Sequence, residues 1–254
     1  MNFTALFSVG VLGLVFVLVF LGLIVLFVVY ERSHQGRPLR PIPAFDRIRR
    51  EIGLAVEAGK RLHITLGRGG ITGQEAGSAL IGLQVLERIA RTASISDKPP
   101  VATSGDGSLA ILSQDTSRAV LRTTSGESQV DPSSGRLVGL TPYAYAAGTL
   151  PVILDEQVAA TILAGHFGSE VALITDAAER NGSLTLAGSD NLSAQAVIFA
   201  TADEPLIGEE LYAAGAYLNA GPAHQASLRA QDILRWVLVG AILAGAALKL
   251  IGLL

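Results

Sequence analysis

Two long apolar runs bracket the chain, and between them short apolar stretches alternate with glycine turns and amphipathic segments. From Phe3 to Tyr30 the side chains are mostly Leu, Val, Phe and Gly, and residues 1–30 carry no charge. A bilayer core needs about 20 apolar residues as a helix, so this run is long enough to span with tilt. A cleaved signal peptide has a basic start and an apolar core of roughly 7–15 residues. Met1-Asn2-Phe3-Thr4 has no basic side chain, the run is far longer, and Glu31-Arg32 follows directly, so an uncleaved anchor is expected. At the other end, Trp236 to Leu254 holds one charge, Lys249. Trp236 stands where an interfacial aromatic is expected, and the Lys249 stem can snorkel to the far interface. Gly240/Ala244 and Ala241/Gly245 put small residues four apart, which permits close approach of another helix, from the first anchor or a neighbouring copy.

Basic residues flank both runs on their inner sides. Arg32, Arg37, Arg40, Arg47, Arg49 and Arg50 follow the first, and Arg229 and Arg235 precede the second. The positive-inside rule then puts the middle of the chain in the cytoplasm and both termini outside. The expected layout is a transmembrane helix over 1–30, a basic proline-rich connector over 31–43, an α/β domain over 44–228 and a second transmembrane helix over 229–254. The connector Gly36-Arg37-Pro38-Leu39-Arg40-Pro41-Ile42-Pro43 should be extended and stiff.

In the middle region, Ala44 to Arg61 reads as an amphipathic helix with Phe45, Ile48, Ile52, Ala55 and Val56 on one side. Leu62, Ile64 and Leu66 then alternate with His63 and Thr65, a strand signal. Gly67-Arg68-Gly69-Gly70 breaks the chain. Thr72 and Glu75 have capping-box spacing for a helix from about Gly73 to Thr92, with Ala76, Leu80, Leu83 and Ile89 on its core face. The unit returns as Val101-Ala102-Thr103, the turn Ser104 to Ser108, and a helix from Leu109 to Arg122. It returns again as Ser183 to Ala187, the turn Gly188 to Asn191, and a helix from Leu192 to Thr201. Strand, glycine turn and capped helix in alternation predict an α/β fold with a mostly parallel sheet. Between the second and third units, Thr123 to Arg136 reads as a loop or hairpin, 137–140 as a strand, and 143–149 and 151–164 as two helices. The stretch 170–175 reads as a strand, with 176–182 turning it into the next strand. Leu206 to Leu218 reads as a helix.

Composition sharpens this picture. Half the residues are hydrophobic, 16% are charged, and there is no cysteine. Charge near a quarter is ordinary for a soluble domain, so the deficit fits two membrane spans and a partly covered domain surface. Without cysteine there are no disulfides, thiolate metal sites or cysteine nucleophiles. A net charge of -3 gives no reason to expect nucleic acid.

Candidate chemistry is confined to the turns. In an open α/β sheet, ligands bind beyond the carboxyl ends of the strands, where helix N-termini point. The turns there offer Arg68, Gly69, Gly70, Thr72, Ser104, Asp106, Ser108, Ser189 and Asp190, a set suited to a small anion such as a nucleotide. The motif itself is loose. Gly67, Gly69, Gly70 and Gly73 do not satisfy G-x-G-x-x-G from Gly67, and no Walker sequence exists. Closing strand-to-helix turns explains the glycines equally. His34, His63, His166 and His224 are scattered, and His63 alternates with core positions. No catalytic residue, metal site or cofactor is implied. Asp155-Glu156 and Glu209-Glu210 read as solvated helix faces. Tyr143, Tyr145, Tyr212 and Tyr217 lie on Ala/Gly-rich helices that suit close packing, in the core or between copies.

Arg37-Pro38-Leu39-Arg40-Pro41-Ile42-Pro43-Ala44-Phe45, the turn Gly67 to Glu75 and the paired spans resemble an uncharacterised bacterial family of membrane-anchored α/β proteins. The resemblance implies no activity and no catalytic residue. Two functions are expected first, from different classes, with an enzyme of unrecognised type as a third. One is a non-enzymatic membrane-anchored domain that self-associates or scaffolds a membrane assembly, with the lipid bilayer and a homo-oligomer or complex partner as its contacts. The other is a membrane-tethered binding or regulatory domain for a small anionic ligand.

Overall fold

The computed structural model describes residues 3–33, 39–94, 96, 98–124 and 132–251. Residues 34–38 of the connector and half of the stretch 123–136 lie outside these. The chain forms two compact units, one of residues 1–40 with 219–254 and one of residues 41–218.

The first unit contains α1 (Phe3–Ser33) and α9 (Pro222–Leu250), which pack against each other. Gly10–Tyr30 and Pro222–Leu250 are each long and apolar enough to cross a membrane. On α1 the half-buried positions are Phe20, Leu23, Ile24, Phe27 and Val28, a single stripe at helical spacing. Around it the large side chains from Val11 to Tyr30 are exposed, as a lipid-facing surface requires.

The second unit is an α/β domain. Its elements run α2 (Pro43–Glu57), β1 (Arg61–Gly67), α3 (Ala76–Thr92), β2 (Val101–Ser104), α4 (Gly107–Thr124), β3 (Gly135–Leu137) and α5 (Pro142–Asp155). They continue with β4 (Val158–His166), α6 (Val171–Asn181), β5 (Leu184–Ser189), α7 (Leu192–Thr201), β6 (Glu204–Leu206) and α8 (Glu210–Tyr217). The six strands form one sheet in the order β3-β2-β1-β4-β5-β6, and every pairing is parallel. This is the strand order of doubly wound dinucleotide-binding sheets, with its switch point between β1 and β4.

Period-two alternation sorts side chains onto the two faces. Leu62, Ile64, Leu66, Ala160, Ile162, Ala164 and Leu186 form one core with α2, α3 and α8. Leu163 and Ala187 point the other way, into a core with Tyr145, Ile153, Phe167, Val171, Ile174 and Ile198. On this second side the sheet is unusually polar: His63, Thr65, Thr103, Thr161 and Thr185 are all buried. The predicted stripe of α2 is buried at Phe45, Ile48, Ile52 and Ala55, and Phe45 stacks on Tyr217 with centroids 5.0 Å apart.

Several elements differ from the pattern-based expectation. The predicted helix over 151–164 is the end of α5 followed by β4, a central strand. α5 runs straight through Pro151. β4 is covered on both faces, so its side chains show no polar alternation, and its alanines imitate a helix. The predicted strand over 170–175 and turn over 176–182 are helix α6, which Gly182 ends in the left-handed conformation. The capping box does not form: α3 starts at Ala76, without a side-chain cap hydrogen bond. The face of α3 is also rotated. Leu80 is 57% exposed, while Ala79, Gly82, Val85, Leu86 and Ile89 are buried. Gly82 is the cause, because its missing side chain lets α3 settle onto the Ala164 carbonyl of β4. The strand expected over 137–140 is instead Gly135–Leu137, and 206–218 divides into the end of β6 and α8.

Candidate functional site

The switch point is where a doubly wound sheet would take a ligand, and four turns meet at that edge. Three are the turns after β1, β2 and β5. The fourth, Phe167 to Glu170 after β4, was hidden in the sequence because β4 read as helix. Its signal was nevertheless the same as theirs: a glycine-bearing break, Gly168-Ser169-Glu170, after a β-prone run.

Backbone hydrogen bonds tie the turns together. The Arg68 N–H donates to the His166 carbonyl at 2.9 Å, and the Gly105 N–H to the Gly67 carbonyl at 2.8 Å. Gly67 has φ +74°, and a Cβ there would run into the His166 backbone. Gly67 N–H donates to the Tyr145 hydroxyl at 3.1 Å, and the same hydroxyl pairs with Thr65. Burial pushes the Tyr145 phenol up to about 12, against the hydrogen bonds from its neighbours. This tyrosine is therefore a neutral strut under the first turn, from a residue whose sequence context fitted an interface as well as a core. Tyr143 is exposed instead.

The polar groups of the turns are engaged with one another. Glu170 is 2% exposed and accepts from Arg68 Nε at 2.9 Å and from the Gly168 N–H at 2.9 Å. Burial pushes its carboxyl up, but these donors outweigh it and hold it below the usual carboxylate range. Asp106 accepts from the N–H groups of Ser108 and Leu109 at 2.9 and 3.1 Å and from the Ser108 hydroxyl, so it caps α4. Ser104 Oγ donates to the Asp106 carbonyl at 3.1 Å. Asp190 accepts from Ser78 Oγ at 2.7 Å and pairs with His166 Nδ1 at 2.8 Å. Ser189 Oγ accepts from the N–H groups of Phe167 and Asn191 at 3.2 and 3.3 Å. Gly69 packs under Glu75 and His166, and Gly70 lies beside the Asp106 carboxylate. Thr72 is exposed in the turn before α3.

A helix N-terminus attracts negative charge through its free N–H groups. At α4 and α6 that charge comes from the chain's own Asp106 and Glu170. An anion at either helix start would thus meet a carboxylate already there, capping α4 in one case and standing at the N-cap position of α6 in the other, and Arg68, the one cation of the predicted set, is bound to Glu170. His166 and Glu170 complete the cluster and were not in that set. Among the described residues no group of three or more His, Cys, Asp or Glu could hold a metal ion.

The family model described as Domain of unknown function (DUF6754) matches residues 4–254, the two apolar helices included. The chain belongs to this family. No curated protein and no solved structure matches it. Membership in DUF6754 agrees with the sequence resemblance to an uncharacterised family, and it assigns no activity to the turns.

Other predicted positions are dispersed. Glu156, expected on a solvated face, is held between Arg61 and Arg136. Burial raises its carboxyl, and the two guanidinium groups outweigh that and lower it overall. His63 is fully buried, with Nε2 2.9 Å from the Thr103 hydroxyl. Burial lowers its pKa to about 3, so it is neutral. On α9, Gly240, Ala241 and Ala244 are exposed, and a Cβ added to Gly240 or Gly245 would meet nothing within 4 Å. The α/β unit leaves large apolar side chains outside as well. Helix α7 has no charged residue, and its outward positions include Leu192 and Phe199, 80% and 73% exposed.

Proposed function

We propose that this protein is a non-enzymatic, membrane-anchored α/β domain that self-associates and thereby organises a membrane assembly. The observation that carries the reading is helix α7, which has no charged residue and leaves Leu192 and Phe199 exposed. An uncharged helix that exposes large apolar side chains calls for a cover. The open small-residue face of α9 supports the same reading, because close helix approach there is available to a neighbouring copy. Two spans per chain hold copies in one plane, which raises their effective concentration and lets modest contacts suffice. The basic inner flanks support a cytoplasmic α/β domain.

Two differently tagged copies of the full chain, expressed together and solubilised in mild detergent, test this. The reading predicts that either tag recovers the other copy. Recovery of the selected copy alone contradicts it.

A second reading, a tethered domain for a small anion, is favoured by the strand order, which gathers the turns at the switch point. It requires the anion to displace Glu170 from Arg68. It predicts thermal stabilisation by a nucleotide in a ligand panel, lost on Arg68→Ala or Asp106→Ala. No shift across the panel removes it.

A further inference from the structure

The outward face of α7 carries a pattern that matches itself. Its exposed residues are Leu192, Ser193, Ala196, Phe199, Ala200 and, at its C-terminal end, Thr201. At 100° per residue the first five fall on one continuous face of about 120°, and Thr201 lies outside that face with its hydroxyl 3.0 Å from that of Thr175. The buried face carries Ala194, Gln195 and Ile198. Large and small side chains are distributed about Ala196: Leu192 lies four residues before it and Ala200 four after, Ser193 three before and Phe199 three after.

We propose that α7 is the contact between two copies of this chain, paired antiparallel about a two-fold axis through Ala196. This deepens the self-association reading and rests on it. A two-fold interface is isologous, so the residue n positions before the axis meets the residue n positions after it on the other copy. Leu192 then meets Ala200 of the second copy, and Phe199 meets Ser193. Each large side chain faces a small one, twice over, and Ala196 at the axis lets the backbones approach closely. Helix pairs with such small contacts reach the short end of the usual separation, about 8 Å.

Charge supports the same occupant. From Leu192 to Thr201 there is no Asp, Glu, Lys or Arg, so bringing two copies together sets no like charges against each other. The helix is firmly held from beneath. The Asn191 side chain caps it at Ser193 N–H, 3.0 Å, and Gln195 reaches the Ser189 carbonyl at 2.9 Å. The face is therefore pre-organised, and little conformational freedom is lost on pairing. A pair of ten-residue helices buries less than the roughly 1,200 Å² of a stable free interface. Membrane tethering supplies what the area lacks.

The chain has no cysteine, so a single introduced thiol reads out the symmetry directly. Ala196→Cys in the full-length protein in lipid nanodiscs should form a disulfide-linked dimer on mild oxidation. Thr92→Cys, on an exposed site at the end of α3, should not. Adding Phe199→Glu to Ala196→Cys should reduce the crosslink at least tenfold, since it sets two carboxylates into the interface. Phe199 is exposed, so the change leaves the fold intact. If tagged copies associate but Ala196→Cys does not crosslink, self-association stands and the α7 contact is overturned. If copies do not associate and no crosslink forms, both fall, and α7 serves another partner.

Discussion

Single residues decide how the sheet edge closes. Gly67 adopts φ +74° where its backbone lies against His166, so a side chain meets both unfavourable torsion and backbone atoms. Gly67→Ala is expected to lower stability by about 2 kcal/mol or more, read as a drop in melting temperature of the detergent-solubilised protein. An unchanged melting temperature would mean the turn is not held as described. His63 gives a pH signature. Its folded-state pKa, lowered to about 3, lies below the ordinary 6.5, so the unfolded chain binds more protons between these values. Its neutral form is compatible with the fold above pH 6.5, and stability falls as acid approaches pH 3, by up to about 1.4 kcal/mol per pH unit. The melting temperature should drop between pH 6.5 and 4.5 and drop less in His63→Gln, which still offers a donor to Thr103. Equal slopes in the two proteins would rule His63 out as the cause. This buried histidine was only half legible in the sequence. Alternation placed it opposite Leu62 and Ile64, but a covered second face appears only once α5 and α6 lie over it. Arg68, Asp106 and Asp190 were legible as turn residues. The partners of Arg68 and Asp190 were not, because Glu170, His166 and Ser78 come from elements that meet only when β4 enters the sheet between β1 and β5.

Elements with a regular polar alternation were the easiest to find. α2 shows its apolar stripe because the other side is wet, and β1, though buried on both faces, shows its alternation because the polar His63 and Thr65 interrupt it. β4 failed because it lacks such an alternation: Ala159-Ala160-Thr161-Ile162-Leu163-Ala164 contains no period to read. Pro151 misled in the same region, since it marks no boundary in α5. Two glycines separate propensity from packing. Gly53 lies exposed in α2 with nothing within 4 Å of an added Cβ, whereas Gly82 holds α3 against the Ala164 carbonyl. Gly53→Ala is therefore expected to raise stability by about 0.5–1 kcal/mol. Gly82→Ala should lower it by roughly 1–3 kcal/mol, because α3 must lift off the sheet. Thermal unfolding of the two variants side by side checks the sign. Stabilisation by both would show that α3 has room to move.

At the scale of the whole molecule, the low charge content divides into two parts. Two apolar helices, Gly10–Tyr30 and Pro222–Leu250, account for the larger part. The α/β unit supplies the rest through uncharged stretches that include 137–154, 157–169 and α7, whose ten residues carry no charge on either face. The strand order on its own points toward a nucleotide, but a fold is not a function. At the switch point Asp106 caps the start of α4, Glu170 stands at the start of α6 and binds the Gly168 N–H just before it, and Arg68 is committed to Glu170. The polar edge is satisfied from within, and the apolar face of α7 is not. That contrast is what makes association between copies the central claim. The most direct measurement is native mass spectrometry of the full-length protein released from lipid nanodiscs. The account predicts a mass of at least two 26.4 kDa chains, returning to one chain in Phe199→Glu. A single-chain mass for the unaltered protein across detergent and lipid conditions would contradict it.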